Sequence, residues 1–497
     1  MEIRLAGYNL DCDIIDACKK RFGDREDWTP ETISAAYARI SRSPKTVTEL
    51  RADARAEVEK ARRSNESIVF AMGHSSVAEH AVFNLDCLGV SRLLVEEIER
   101  FRLCSYTEKS QRYVLFRDDF VLPEEVRRAG LADAFTETIR AQYACYHALY
   151  EKLRPHVFAR HPDLAAEPAN RALLEGWAKE DARYIIALAT ETQLGMTVNA
   201  RNLELMLRRL AAHPLLEAQA CSREMYASTK AVAPSLIRYT EPTAYDTRTG
   251  TALREACAAW LAERGEPDTP APAPADREAG VPPVRLVHVT PEADDRIAAA
   301  LVHGASTLSL DACRRAVAAM TPAARTDLFR AAFRHLESHD AVRREFEYAD
   351  LTYELTMSAS CYAQWKRHRM ATITVQGYDP ALGVTVPPAI RAVGMEQAFL
   401  DVVGRTEETY ERIRRAAPEA APYLLTNAHR RRVLTKINAR ELYHIARLRA
   451  DRHAQWDIRT LTEAMLDPAR EAMPLALMLA AGKDRFPERM SKAFGKR

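Results

Sequence analysis

Apolar residues along much of this chain recur at spacings of three and four. Residues 138–153, 170–190, 292–320 and 322–336 all show this, which predicts amphipathic helices. Strict alternation is shorter and rarer. It occurs over Ala81–Leu88, Asp350–Leu355 and Arg112–Phe116, which predicts three strands. Many helices over a few strands indicate α+β packing rather than repeated strand–helix–strand units. One segment has no apolar period. From Gly265 to Pro283 the chain is rich in proline and alanine, which reads as an extended, semi-rigid linker. The expected organisation is a first domain over 1–264, a linker over 265–284 and a second domain over 285–497.

The two halves echo each other. Val198-Asn199-Ala200-Arg201-Asn202-Leu203 matches Ile437-Asn438-Ala439-Arg440-Glu441-Leu442, and Arg100-Phe101-Arg102 matches Arg367-His368-Arg369. The order is the same in each half, and two ordered matches on either side of a linker point to duplication.

Composition narrows the functional classes. A hydrophobic share of 47% and a charged share of 28% suit a soluble globular protein. A net charge of +2 provides no broad basic field for nucleic acid or a membrane surface, so an acidic ligand must be held by local arginines. No apolar run approaches the ~20 residues of a membrane span, and Met1–Leu5 does not begin an apolar signal core. The nine cysteines are scattered without a C-x-x-C pair. That argues against a metal ribbon or disulfide scaffold and for a reducing cytoplasm. Neither a dinucleotide glycine fingerprint nor a P-loop occurs.

Four constellations can carry chemistry. Gly73-His74-Ser75-Ser76-Val77-Ala78-Glu79-His80 precedes a strand and reads as a loop or helix end. Small residues and histidines there let a flat cofactor approach, although a capped turn with solvated histidines has the same composition. Arg100 to Tyr113 packs three arginines, two serines and Glu108 into one span, the makings of an anion site or of a charged surface. Gln364-Trp365-Lys366-Arg367-His368-Arg369 is a compact basic cluster without the aromatic interleaving of a nucleic-acid binder. Asn438 with Glu441 resembles a capping box opening a helix, along which Arg440–His444 and Arg449–His453 fall at i,i+4. Such cationic pairs are stable facing anions or solvent.

These motifs resemble those of the flavin-dependent thymidylate synthases, whose signature is R-H-R-x-x-S-x-x-x-x-S-x-R-Y. That family also has an upstream G-H-x-[ST]-x-x-E-H and a downstream N-A-R-x-L helix ending L-R-x-x-x-x-A-Q-W. The first half keeps Gly73, His74, Ser76, Glu79 and His80, then Arg100, Arg102, Ser105, Ser110, Arg112 and Tyr113, with Phe101 in place of the histidine. Its downstream helix keeps Asn199, Ala200, Arg201 and Leu203 but departs after Arg208. The second half keeps Arg367-His368-Arg369 and the helix residues Asn438, Arg440, Leu448, Arg449, His453, Ala454, Gln455 and Trp456. It loses the S-x-R-Y end to Gln376-Gly377-Tyr378-Asp379-Pro380, and Glu347-Tyr348 takes the E-H position. An upstream arginine of the family matches Arg183 in the first half and Pro422 in the second.

The resemblance implies two tandem domains, each mainly helical around a small antiparallel sheet. It implies reductive methylation of dUMP to dTMP with FAD, NADPH and methylene-tetrahydrofolate. It assigns Arg449 to catalysis and Glu108, Ser110, Gln111, Arg112, Arg183, Gln364 and Arg367 to dUMP. It assigns His74, Ser76, Glu79, Arg100, Arg102, His368, Arg369, Asn438, Arg440, His444 and His453 to FAD. Because each half is defective alone, complete sites would combine parts of both, in a homodimer that mimics the family's tetramer. No metal, nucleic acid or membrane partner is implied. Phe101, Pro422 and the loop at Tyr378 leave two other readings open: a flavoenzyme for another pyrimidine nucleotide, and a non-catalytic flavin- or nucleotide-binding protein.

Overall fold

The computed structural model describes residues 1–8, 12–23, 25, 28–40, 43–112, 114–116, 118–264 and 284–495. Tyr113 and linker residues 265–283 lie outside the described residues. The chain forms two compact units, Met1–Ala271 with Gln397–Thr426, and Pro272–Glu396 with Asn427–Arg497. Each contains one antiparallel four-stranded sheet. The first is built from β1 (Glu2–Gly7), β2 (Val82–Ser91), β3 (Ser105–Glu108) and β4 (Glu191–Asn199), in the order β1-β2-β4-β3. The second is built from β5 (Val284–Val289), β6 (Asp350–Ser358), β7 (Thr372–Tyr378) and β8 (Arg430–Asn438), in the order β5-β6-β8-β7. The two orders are the same, so the duplication extends to topology.

In the first unit β2 buries Phe83, Leu85 and Cys87 on one face, and β4 buries Leu194, Met196 and Val198. The long helix Ala132–Arg160 adds Phe135, Ile139, Tyr143, Tyr146 and Leu149 to the core. Two of its buried polar residues, Thr138 and Gln142, bond to the segment Gln397–Thr426 of the same unit. Thr138 and Thr409 share a hydroxyl hydrogen bond of 3.0 Å, and the Gln142 amide donates to Thr406 Oγ1 at 2.9 Å and to the Leu424 carbonyl at 3.0 Å. Buried amides and hydroxyls need such partners. In the second unit Leu351, Tyr353, Leu355 and Met357 of β6 face the core with Trp365, Leu442, Ile445 and Leu461. The Tyr353 hydroxyl donates to the Met465 carbonyl at 2.9 Å.

The second strand of each sheet ends on a serine that caps the next helix. Ser91 Oγ accepts the Leu94 N–H at 2.9 Å and donates to Glu217 at 2.6 Å. Ser358 Oγ accepts the Cys361 N–H at 3.0 Å and donates to Asp457 at 2.6 Å. The capped helices, Arg92–Ile98 and Ala359–Trp365, are short. Arg100-Phe101-Arg102 follows the first and Arg367-His368-Arg369 the second, so one junction places both motifs.

Three expectations from the sequence are corrected. None of the described residues of the alternation over Arg112–Phe116 belongs to a strand. The edge strand is Ser105–Glu108, whose backbone pairs with Leu194–Thr197 of β4. The period over 292–320 breaks into helices Ala293–Gly304 and Leu310–Ala318, because Ser309 caps a new start by accepting the Ala312 N–H. The period over 170–190 is helical only from Arg171 to Ala182, then tightens into a 3-10 turn over Arg183–Ile185. Among the described residues no helix is long and apolar enough to cross a membrane.

Helix Ala439–Arg449 ends where two backbone segments touch. A Cβ on Gly482 would lie 2.5 Å from the Ala450 carbonyl oxygen. Nearby, the Asp484 N–H donates to Asp451 at 3.1 Å. Gly482→Ala must push this turn off the helix end, and overpacking of that kind costs about 1–3 kcal/mol. Urea unfolding should show the loss, and an unchanged midpoint would contradict the contact.

Candidate functional site

The first unit gathers arginines around β3. Arg92, in the first turn of the short helix that Ser91 caps, pairs with Glu108 at 3.0 Å, and both side chains are almost fully buried. The Ser110 hydroxyl accepts the Arg112 N–H at 3.2 Å, and Gln111 is buried beside it. The Arg112 guanidinium reaches Glu180 at 3.4 Å. Arg183 is buried, and its pKa is lowered by that burial, with Arg92 and Arg112 adding repulsion and Glu180 opposing it. Like charges held together inside a protein favour an anion among them. The sequence motif thus brings Glu108, Ser110, Gln111, Arg112 and Arg183 into one region. It missed Arg92 and Glu180, which carry no motif spacing and are recognised only by their burial.

Arg100 and Arg102 lie on the exposed corner after the short helix, where Arg100 pairs with Glu97 at 2.7 Å. The Tyr106 hydroxyl donates to the Ile98 and Phe101 carbonyls at 2.9 and 3.0 Å and fixes that corner. The glycine-histidine segment starts with Gly73 at φ +75°, a left-handed conformation that suits glycine. It continues as a 3-10 turn over Ser75–His80. His74, Ser76, Glu79 and His80, with Tyr37, Ala38, Ile68 and Val77, line a pocket of about 510 Å³. Glu79 is held by Arg201 at 2.5 Å. An apolar wall with imidazole and hydroxyl donors fits part of a flat, partly anionic group such as a flavin nucleotide.

In the second unit the Arg367-His368-Arg369 corner divides. Arg367 and Arg369 are exposed, whereas His368 is turned inward and 3% exposed. Arg449 Nε donates to His368 Nε2 at 3.1 Å, and Arg449 Nη2 donates to the Gln364 carbonyl at 3.3 Å. Two bonds to fixed acceptors set the guanidinium plane. The Gln364 amide in turn donates to Gln455 at 3.4 Å. Accepting at Nε2 requires a neutral ring with its proton on Nδ1, which lies 3.5 Å from Glu441 Oε1. Burial, reinforced by Arg449, pushes the His368 pKa down to about 3, while burial raises that of Glu441.

The helix carrying Arg449 opens as the capping pattern predicts, but only in part. Asn438 Oδ1 accepts the Glu441 N–H at 2.8 Å, while the Glu441 side chain faces His368 instead of closing a box. Arg440 binds Glu347 at 2.9 Å and the Val342 carbonyl at 2.8 Å, the second-repeat counterpart of Arg201 on Glu79. His444 is exposed, stands edge-on to His368 with ring centres 5.9 Å apart, and lines a pocket of about 240 Å³ with Met370, Arg440 and Arg447. Arg449 and His453 do not share a helix as expected. The helix ends at Arg449, and His453 turns back to Asp451 at 2.8 Å. Sequence spacing could not reveal that Glu441 faces inward, although its place one turn before buried Ile445 is the signal that could have done so.

The buried histidine fixes a pH dependence. Its folded pKa lies below the ordinary value of about 6.5, so the unfolded chain binds more protons and stability falls as pH drops from about 6.5 toward about 3. Glu441, with a raised value, acts in the opposite sense. Between pH 7 and pH 5 the wild type should lose about 1–2 kcal/mol more than His368→Gln in urea titrations. Equal losses would contradict the neutral, buried ring.

Comparison with known proteins agrees with this geometry. The profile described as thymidylate synthase complementing protein matches residues 26–235 and 285–475, once in each half. A flavin-dependent thymidylate synthase of Clostridium tetani is 31% identical over 218 residues, covering 43% of this chain and 83% of that protein. One from Geobacter sulfurreducens is 32% identical over 220 residues, with the same two shares. A UPF0159 protein of Chlamydia pneumoniae is 24% identical over 431 residues, covering 83% of this chain and 79% of its own. Matches to both halves, on two sheets of one strand order, make this chain a tandem member of the thymidylate synthase complementing protein family.

Proposed function

We propose that the protein is an FAD-dependent thymidylate synthase that converts dUMP to dTMP with methylene-tetrahydrofolate and NADPH, at sites composed from both halves. The observation that carries this reading is the arginine group of buried Arg92 and Arg183 with half-buried Arg112 beside Ser110, whose mutual repulsion suits one phosphate dianion. The names of the relatives supply the nucleotide and the flavin. The family domains correspond to 1–264 and 285–497, joined by the linker 265–284. The assembly is a homodimer, and nine unbridged cysteines suit a cytoplasmic protein.

In this reading Ser110, the Gln111 backbone, Arg112 and Arg183 hold the dUMP phosphate, with Glu108, Gln364 and Arg367 contacting the rest of the nucleotide. Arg449 faces the uracil. Its plane is set by His368 and the Gln364 carbonyl, so its charge is in place where negative charge develops on the ring. His74, Ser76, Glu79, Arg100, Arg102, Arg369, Asn438, Arg440, His444 and His453 are the family's flavin-facing positions, and His368 joins them by resemblance. FAD would supply the hydride chemistry. The protein's own work is binding, orientation and a fixed electrostatic field.

The purified protein should carry a flavin absorbance that bleaches with NADPH, and should form dTMP from dUMP and methylene-tetrahydrofolate. A colourless protein that binds no added FAD, or a flavoprotein that forms no dTMP, would contradict the reading.

A further inference from the structure

The second repeat carries a larger and more basic counterpart of the first-repeat pocket at Ser76, Glu79 and His80. In the first repeat the turn before β2 has Ser75 and Ser76 ahead of Glu79. In the second, the turn before β6 has Arg343 and Arg344 at those positions, counted back from Glu347. The two glutamates are equivalent because each is bound by the arginine following its helix-capping asparagine, Arg201 or Arg440. Two small hydroxyl residues have thus been exchanged for two guanidinium groups.

These arginines open onto a groove of about 1160 Å³ that is also lined by Arg296, Arg314, Arg440 and His303. Five arginines and two glutamates, Glu345 and Glu347, line it, and Arg314 also has Asp311 at 3.6 Å, so the five guanidinium groups exceed these three carboxylates by two charges. Glu347 alone serves Arg344 at 3.1 Å and Arg440 at 2.9 Å. The Arg344 side chain remains 82% exposed and that of Arg343 61%. Exposed ion pairs of this kind hold their partners weakly, so a stronger anion can take them over. Tyr348, 69% exposed, also lines the groove and supplies an aromatic ring there.

We propose that this groove is a ligand site for a nucleoside triphosphate, with the phosphates on Arg343, Arg344 and Arg314 and the base against Tyr348. Guanidinium forks match phosphate oxygens, an aromatic face takes a base of any identity, and the groove is large enough for the whole nucleotide. The inference uses none of the residues assigned to dUMP, and the groove shares only Arg440 with the proposed flavin-facing positions.

Calorimetric titration of the full-length protein with ATP, inorganic tripolyphosphate and adenosine tests it. ATP should bind with a Kd well below about 1 mM, tripolyphosphate more weakly, and adenosine not at all. Arg343→Ser/Arg344→Ser, which restores the first-repeat residues, should weaken ATP by about tenfold or more without changing the melting temperature. Tyr348→Ala should weaken ATP but not tripolyphosphate, and Arg112→Ala should leave ATP binding intact. Equal affinity in the double-serine variant overturns the proposal. So does loss of ATP binding in Arg112→Ala, or tripolyphosphate that binds as tightly as ATP.

Discussion

A serine hydroxyl bonded to a buried carboxylate, at the end of the second strand in each sheet, is the interaction on which the rest depends. Ser91 with Glu217 and Ser358 with Asp457 close the junction between a central strand and a short helix. The hydroxyl satisfies a helix N–H and a carboxylate at once, so the chain can leave the sheet only in one direction. Burial raises the Glu217 pKa, and the hydrogen bonds from Ser91 and Tyr423 act against that rise. The two motif corners, Arg100-Phe101-Arg102 and Arg367-His368-Arg369, lie one short helix beyond these junctions. An error in the exit direction would move every arginine that follows.

Much of the architecture was legible because it rests on local chemistry. Alternation marked β2 and β6, the capping pattern at Asn438 marked the helix that follows β8, and the ordered motifs exposed the duplication. What was not legible depends on partners distant in sequence. β3 is a strand because Ser105–Glu108 pairs with β4 some ninety residues later, while the described residues of the stronger alternation at Arg112–Phe116 have no such pairing. The packing of Thr138 and Gln142 against Thr409 and Thr406 joins residues from opposite sides of the linker, which a reading by segments divides. At the site, the spacing of Arg449 and His453 suggested one helical face, but Asp451 draws His453 into a turn.

The two repeats have kept different parts of one charge distribution. The first holds Arg92 and Arg183 inside, with Arg112 half-buried against Glu180, where burial makes their repulsion on Arg183 effective. The second uses a single inward histidine, neutral by burial, to orient Arg449. Phe101 cannot accept such a bond, so the first repeat has no counterpart of that orientation. Conversely Tyr378, at the end of β7, stacks on Arg431 with the guanidinium 4.3 Å from the ring centre, which occupies a cation in structure rather than in an anion cradle. Each loss in one half is matched by a retained element in the other, the pattern expected when duplicated sites share one task.

The central claim is that catalysis draws on both halves, and paired turnover measurements of Arg112→Ala and Arg449→Ala test it most directly. The account predicts that each variant, altered in one half only, loses at least about a thousandfold in kcat/KM for dUMP, the scale of losing a fixed electrostatic contact. A variant that retains half or more of the wild-type turnover would show that one half works alone, and would contradict the account.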